Sequence, residues 1–245
     1  MNLTNNLIKQ CTCGNSTDFN DDIQNEIPVL ICNSCGVIHQ NLPGWDEDRL
    51  KKWYAKEYHV DVQEAIGHQS YRDRYNHDKK IAEIRLTAYN NIITPTMSGI
   101  DIGSSNSAFV HTCLEKNIQC IGVEPGENIG DDSVTVRNAI VDCTFSENQF
   151  DFVTMHDSLE HMINIDQVLS KINFFLKING SLIVDIPDYF VPGGLHHWRE
   201  VQHLWFWNKN QMINIFNTFG FEVENITYPI PGKIVFYTRK KKRIK

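Results

Sequence analysis

The chain has no apolar run near the roughly 18–20 residues that a membrane-spanning helix requires. Residues 1–10 contain no hydrophobic stretch of the secretory-signal kind, so the expectation is a cytoplasmic protein with no membrane partner. Positive charge is scarce. The formal net charge is −7, whereas a broad nucleic-acid surface is usually basic. The exception is Arg239-Lys240-Lys241-Lys242-Arg243-Ile244-Lys245, read as a solvated tail, with contact to a phosphate-bearing partner as the sharper alternative. There is no internal repeat, and the basic tail is the one low-complexity tract. What remains is an ordinary globular composition, 41% hydrophobic over 245 residues, enough for one α/β domain and a small appendage.

The seven cysteines are an odd number. Four form two close pairs, Cys11-Thr12-Cys13-Gly14 and Cys32-Asn33-Ser34-Cys35-Gly36, while Cys113, Cys120 and Cys143 stand singly. In a reducing compartment this pattern points to metal rather than disulfides. Four thiolates from two pairs suit tetrahedral zinc, and a glycine after each pair permits a tight metal-binding knuckle. Such a site is structural, since four protein ligands leave no position for chemistry. Packing without metal is the bland alternative.

Residues 1–45 are expected to form this zinc-ribbon-like module. Residues 46–97 are expected to be a helical connection, with a helix from Trp45 to His59, a linker over 60–77 and an amphipathic helix over 72–92. The second helix is read from Ile81, Ile84, Ala88 and Ile92 at helical spacing. From residue 98 to 245, strands and helices alternate. Expected strands are 99–102, 120–123, 138–141, 150–155, 181–186, 221–228 and 233–238. Helices are expected over 108–115, 165–176 (capped by Gly180) and 209–219. Alternation of this kind implies a doubly wound, mostly parallel, seven-stranded α/β sheet, with the last strand–turn–strand supplying an antiparallel edge.

Ile100-Asp101-Ile102-Gly103-Ser104-Ser105-Asn106-Ser107 ends a buried strand in an acid, then turns through small residues into a helix. Ligands of open α/β sheets bind outside the carboxyl ends of strands, and an acid there favours a cationic group. The G-x-G-x-x-G spacing is absent, which excludes a dinucleotide pyrophosphate cradle. In Ile121-Gly122-Val123-Glu124-Pro125 the next strand also ends in a carboxylate, whose two oxygens can accept both hydroxyls of a ribose. Asp142 can accept from an adenine amino group while the Cys143 amide reaches a ring nitrogen. Alone, each of these acids also reads as a surface or turn residue.

From about Ile100 to Tyr237 the chain resembles class I S-adenosylmethionine-dependent methyltransferases, in the branch with a glutamate–histidine pair after the fourth strand. The matching stretches are Phe150-Asp151-Phe152-Val153-Thr154-Met155-His156-Asp157-Ser158-Leu159-Glu160-His161, then Leu176-Lys177-Ile178-Asn179-Gly180-Ser181-Leu182-Ile183-Val184 and Ile186-Pro187-Asp188. The resemblance implies a Rossmann-like fold and S-adenosylmethionine as cofactor. It implies Asp101, Gly103 and Ser104 beside the methionine moiety, Glu124 on the ribose, Asp142 and Cys143 around the adenine, and His156 bordering the methionine. The chain departs from the family at Ser105 and Ser107, where glycines are usual; serine resists positive φ and crowds the cofactor. The cysteine module, followed by Trp53-Tyr54-Ala55-Lys56-Glu57-Tyr58, resembles the N-terminal ribbon of sugar and nucleotide-sugar C-methyltransferases. Here Gln10 stands where a cysteine is usual, and Cys11 is shifted by one.

Methyl transfer from a sulfonium needs alignment and often proton removal. The segment 188–208 follows a strand end and holds Tyr189, His196, His197, Trp198, Arg199, Glu200, His203, Trp205 and Trp207. Loops at that edge bind substrate. His203 is the leading general-base candidate, followed by His197 and His161; each histidine alone also reads as a structural residue. The expected acceptor is a small polar molecule, a sugar or nucleotide-sugar, methylated at carbon or oxygen. The alternatives are a nucleic-acid or protein acceptor and a non-catalytic binding protein.

Overall fold

The structure is a computed structural model and describes residues 6–57, 71–126, 130–192 and 194–244. The strand β1 (Phe19–Gln24) pairs antiparallel with β2 (Ile27–Cys32) across a two-residue turn in which Asn25 and Glu26 both take positive φ. That turn twists with the strands it joins, as two-residue hairpins require. The third strand, β3 (Ile38–Gln40), pairs antiparallel with β2. Helices α1 (Glu47–Glu57) and α2 (Tyr71–Ala88) follow. The expected linker is therefore shorter: 71–77 is helical, and 58–70 lies outside the described residues.

The apolar stripe of α2 also differs from the expected one. Ala82 and Leu86 are buried and continue into Tyr89 and Ile93, while Ile84 is exposed. The buried stripe is displaced from the expected one because Tyr89 packs against Phe109 and Tyr237 in the core of this face.

The main sheet contains β4 (Ser98–Ile102), β5 (Gln119–Val123), β6 (Thr135–Val136), β7 (Phe150–His156), β8 (Leu176–Pro187), β10 (Phe221–Thr227) and β11 (Lys233–Lys240). Helices α3 (Ala108–Glu115), α4 (Ile165–Phe175) and α5 (Lys209–Thr218) join them. Strand order is β10-β11-β8-β7-β4-β5-β6. The five strands from β8 to β6 are parallel, and the closing hairpin is the antiparallel edge, with β11 pairing antiparallel to β8 and β10 outermost. The chain enters at β4, builds outward through β5 and β6, then returns to β7 on the other side. The switch point thus lies between β4 and β7, where such sheets open a ligand crevice.

Two expected elements differ. The strand expected at 138–141 is the shorter β6, and Ile140–Asp142 is a 3-10 turn. The edge strand needs only two residues of pairing to reach β5, so the apolar run behind it packs as a turn. Gly180 does not cap α4. The cap is Leu176, β8 begins there, and Gly180 sits inside β8, where an added Cβ would lie 2.8 Å from Leu176 Cγ.

Alternate strand residues feed two cores. Phe152, Ile183 and Val235 pack with Ala82, Leu86, Tyr89 and Phe109 on one face. Val153, Leu182, Val184 and Phe236 pack with α4 and α5 on the other. Gly99 lets β4 pass beneath Phe152, whose ring would stand 2.3 Å from any Cβ there. Strand β9 (Trp205–Phe206) leaves the α/β half and joins β3, so the ribbon sheet runs β1-β2-β3-β9.

Candidate functional site

The turn after β4 has the shape a cofactor needs. Gly103 takes φ 75, and a Cβ there would meet Ser158 Cβ at 2.6 Å. Ser105 and Ser107 also take positive φ, 47 and 64, so the conformation that family glycines favour is kept by serines. Ser107 Oγ lies 2.9 Å from Thr135 Oγ1 and accepts from the Asp131 amide at 3.0 Å. Ser104 Oγ is buried without a hydrogen-bond partner among the described residues, against Gly122.

Glu124 follows β5, next to that turn. Its Oε2 accepts from the Ser105 amide at 3.0 Å and its Oε1 from the Gly126 amide at 2.9 Å. Burial raises its pKa, opposed by those two amides and by Arg137. A carboxylate offers about four lone-pair sites, so both oxygens retain acceptor capacity. Asp101 is buried at the end of β4, where Thr154 Oγ1 donates to its Oδ1 at 2.8 Å and His156 Nδ1 lies 3.1 Å away. His156 Nε2 lies 3.2 Å from the Tyr89 hydroxyl, and Tyr89 stacks on its ring. Asp101 and His156 therefore form one buried pair across β4 and β7. Asp142 is exposed on the 3-10 turn. The Cys143 amide, expected at an adenine nitrogen, donates to the Ile140 carbonyl at 3.3 Å.

The three candidate histidines are placed differently. His161 and His203 meet edge to face, ring centroids 4.9 Å apart. His161 Nδ1 is 2.7 Å from the Gln202 carbonyl and 3.0 Å from the Tyr54 hydroxyl. His203 Nδ1 is 2.7 Å from the His197 carbonyl and 3.2 Å from the Tyr189 hydroxyl. Burial pushes His161 down to about 4 and His203 well below its ordinary value. His197 contributes its carbonyl to this pair, while its ring packs on His196 and its Nε2 has no hydrogen-bond partner among the described residues. Burial brings it to about 4 as well.

Charged residues from several elements surround these histidines. Arg85 of α2 reaches Asp185 of β8 at 2.8 Å and Asp157 at 3.3 Å, and Lys233 of β11 pairs with Asp157. Burial alone would raise Asp157, yet the Lys233 ammonium and Arg85 guanidinium hold it well below the usual carboxylate range. Glu160 is fully buried, and burial together with Asp157 raises its pKa well above the ordinary value. The glutamate–histidine pair was the available signal for Glu160; nothing local marks Arg85 or Lys233.

In the ribbon, Cys11, Cys13, Cys32 and Cys35 converge with all four sulfurs within 4.8 Å. The Cys11–Cys35 and Cys13–Cys32 separations are 3.5 and 3.6 Å. Tetrahedral zinc with Zn–S bonds of about 2.3 Å sets thiolates about 3.8 Å apart, so the donor set fits that ion. Gly14 and Gly36 take φ 88 and 71, as knuckle turns require. Gln10, standing where a cysteine is usual, donates from Nε2 to the Gly14 carbonyl at 2.8 Å and braces the shifted first knuckle.

A doubly wound sheet with acids closing two adjacent parallel strands, and a buried histidine loop beside them, is the architecture of a Rossmann-like methyltransferase. Residues 68–226 match the family described as a methyltransferase domain. The chain belongs to that family and is an S-adenosylmethionine-dependent methyltransferase. No curated protein matches it in sequence. Among solved structures it is similar to the 1,6-didemethyltoxoflavin-N1-methyltransferase of Burkholderia thailandensis, which holds 1,6-didemethyltoxoflavin and S-adenosylhomocysteine. The TM-score is 0.62 at 12% identity, over 92% of this chain and 100% of that one. A methyltransferase of Archaeoglobus fulgidus has TM-score 0.55 at 15% identity, over 66% of this chain and 94% of that one. One from Aquifex aeolicus has TM-score 0.54 at 11% identity, over 65% and 89%. At such identities the likeness is one of fold. Among the described residues no helix is long and apolar enough to cross a membrane.

Proposed function

We propose that the chain transfers the sulfonium methyl of S-adenosylmethionine to a small polar acceptor, a sugar or nucleotide-sugar, at carbon or oxygen. In this reading Asp101, Gly103, Ser104 and His156 border the methionine moiety, Glu124 takes the ribose hydroxyls, and Asp142 and Cys143 flank the adenine. His203, His161 and His197 face the acceptor, and Cys11, Cys13, Cys32 and Cys35 hold a structural zinc. The observation that carries it is the pair of acids on adjacent parallel strands, Asp101 and Glu124, flanking a turn held at positive φ.

A small acceptor is also what the Burkholderia relative binds. A nucleic-acid acceptor draws its support from the basic tail, and that support weakens. Lys240 is buried in β11, Arg239 pairs with Glu224, Lys241 with Glu222 and Glu224, and Arg243 with Glu147. Among the described residues, Arg239, Lys241 and Arg243 are thus ion-paired, although 241–243 stay exposed. A non-catalytic reading rested on Ser105 and Ser107, yet both keep the backbone that glycine would adopt.

Calorimetry with S-adenosylmethionine tests the reading. Binding is expected, and Glu124→Ala is expected to weaken it by about tenfold or more, the loss of roughly 1.4 kcal/mol of hydrogen bonding. Absence of binding at millimolar cofactor would overturn the assignment; an unchanged affinity in the variant would remove Glu124 from it.

A further inference from the structure

Glu160 is a buried carboxyl at the start of the loop beside His161. Neither side-chain oxygen has a hydrogen-bond partner among the described residues, and the residue has no solvent exposure. Such a group is costly to bury unless another ligand completes it.

Two imidazoles are aimed at the same place. His161 Nδ1 lies 2.7 Å from the Gln202 carbonyl. A carbonyl only accepts, so Nδ1 carries the proton; Nε2 stands 4.0 Å from Glu160 Oε1, beyond hydrogen-bond reach. His203 repeats the arrangement, its Nδ1 held at 2.7 Å by the His197 carbonyl. Imidazoles locked through Nδ1–H to backbone carbonyls, with Nε2 left basic, are what metal-ligating histidines show. One donor atom from each of Glu160, His161 and His203 lies within 4.8 Å of the others. Donors about 2.1 Å from a zinc-sized ion sit roughly 3–4 Å apart, so a small inward rotation closes the set.

The charges around the cluster agree. Lys233 and Arg85 pair with Asp157 and Asp185, while Glu160 has no Lys or Arg partner among the described residues. The His161 side chain is 18% exposed, so the cluster is not wholly sealed from solvent.

We infer that Glu160, His161 and His203 form a binding site for a divalent first-row transition-metal ion, separate from the four-cysteine cluster. One carboxylate and two imidazoles suit zinc, iron or cobalt rather than magnesium or calcium. Three protein ligands leave a coordination position, which an acceptor oxygen can fill; this last clause rests on the methyl-transfer reading, whereas metal binding does not. His161 and His203 then act through the ion, and the buried His197 Nε2, without a hydrogen-bond partner among the described residues, is the base candidate outside it.

Cobalt(II) is the probe. The full-length, reduced, chelator-treated chain is titrated with Co²⁺ and followed by absorption. Two equivalents per chain are expected. One carries the intense sulfur-to-cobalt absorption of thiolates. The other shows only weak visible bands and loses at least tenfold in affinity in both Glu160→Gln and His161→Gln. Retention of the thiolate equivalent in those variants shows that they are folded. A wild-type chain that binds the thiolate equivalent alone overturns the inference, as does a second equivalent that survives in both variants. S-adenosylmethionine calorimetry on the metal-free chain reports the cofactor reading independently, so either assignment can fail without the other.

Discussion

Ser105 and Ser107 occupy the same left-handed backbone region for different returns. Ser105 gives only its amide to Glu124, a bond that glycine would also make. Ser105→Gly is therefore expected to stabilise the fold by about 0.5–1 kcal/mol, since the left-handed penalty on a Cβ disappears. Ser107 uses its hydroxyl, bridging Thr135 and the Asp131 amide, and starts α3. Ser107→Gly removes two buried hydrogen bonds along with the strain and is expected to be destabilising by about 1 kcal/mol. Thermal denaturation of the two variants in parallel checks the opposite signs, at roughly 2–4 °C per kcal/mol for a chain of this size.

At the scale of elements, the contact that organises the His203 loop is the strand pair β3–β9. Gln40 of the ribbon donates from Nε2 to the Arg199 and His203 carbonyls at 2.6 and 2.7 Å, and its Oε1 accepts from the Val201 amide at 2.8 Å. His39 beside it is buried between Phe19 and Trp205 and is pushed down to about 4 by burial. The unfolded chain protonates this imidazole below about 6.5, and the folded chain does so only below about 4. Stability attached to His39 is therefore complete above pH 6.5 and declines as pH falls through that window, on the order of 3 kcal/mol in all. Urea unfolding followed by tryptophan fluorescence at pH 7 and pH 5 is expected to show a lower midpoint at pH 5. His39→Phe, which keeps a buried ring without the proton site, is expected to reduce the difference, the remainder coming from His161, His197 and His203.

At the scale of the molecule, ribbon and catalytic half share a core as well as a sheet. Leu30 and Cys32 pack in the same apolar cluster as Trp205, Trp207 and Met212. Gln211 of α5 donates to the Cys35 carbonyl at 3.4 Å. Disrupting the four-cysteine cluster should then disturb the His203 loop more than the crevice proposed for the cofactor, which lies at β4, β5 and β7. Cys35→Ser is expected to lower the thermal midpoint while leaving S-adenosylmethionine affinity within about twofold, because the two sites share no residue. A large loss of cofactor affinity would instead show that the ribbon braces the crevice.

The alternation of elements, the two strand-ending acids, the four-cysteine knuckles and the glutamate–histidine pair were legible in the amino-acid order, because each depends on neighbours a few residues away. Local periodicity also misled where packing chose otherwise: Ile84 faces solvent, Gly180 lies within a strand, and the strand expected at 138–141 is a turn. Only the tertiary structure decided that Arg85, Asp185 and Lys233 meet, that Gln40 holds the His203 loop, and that Glu160 is left without a hydrogen bond between two imidazoles. These groups come from separate elements, and their charge and hydrogen-bond balance exists only once the sheet has folded and excluded water.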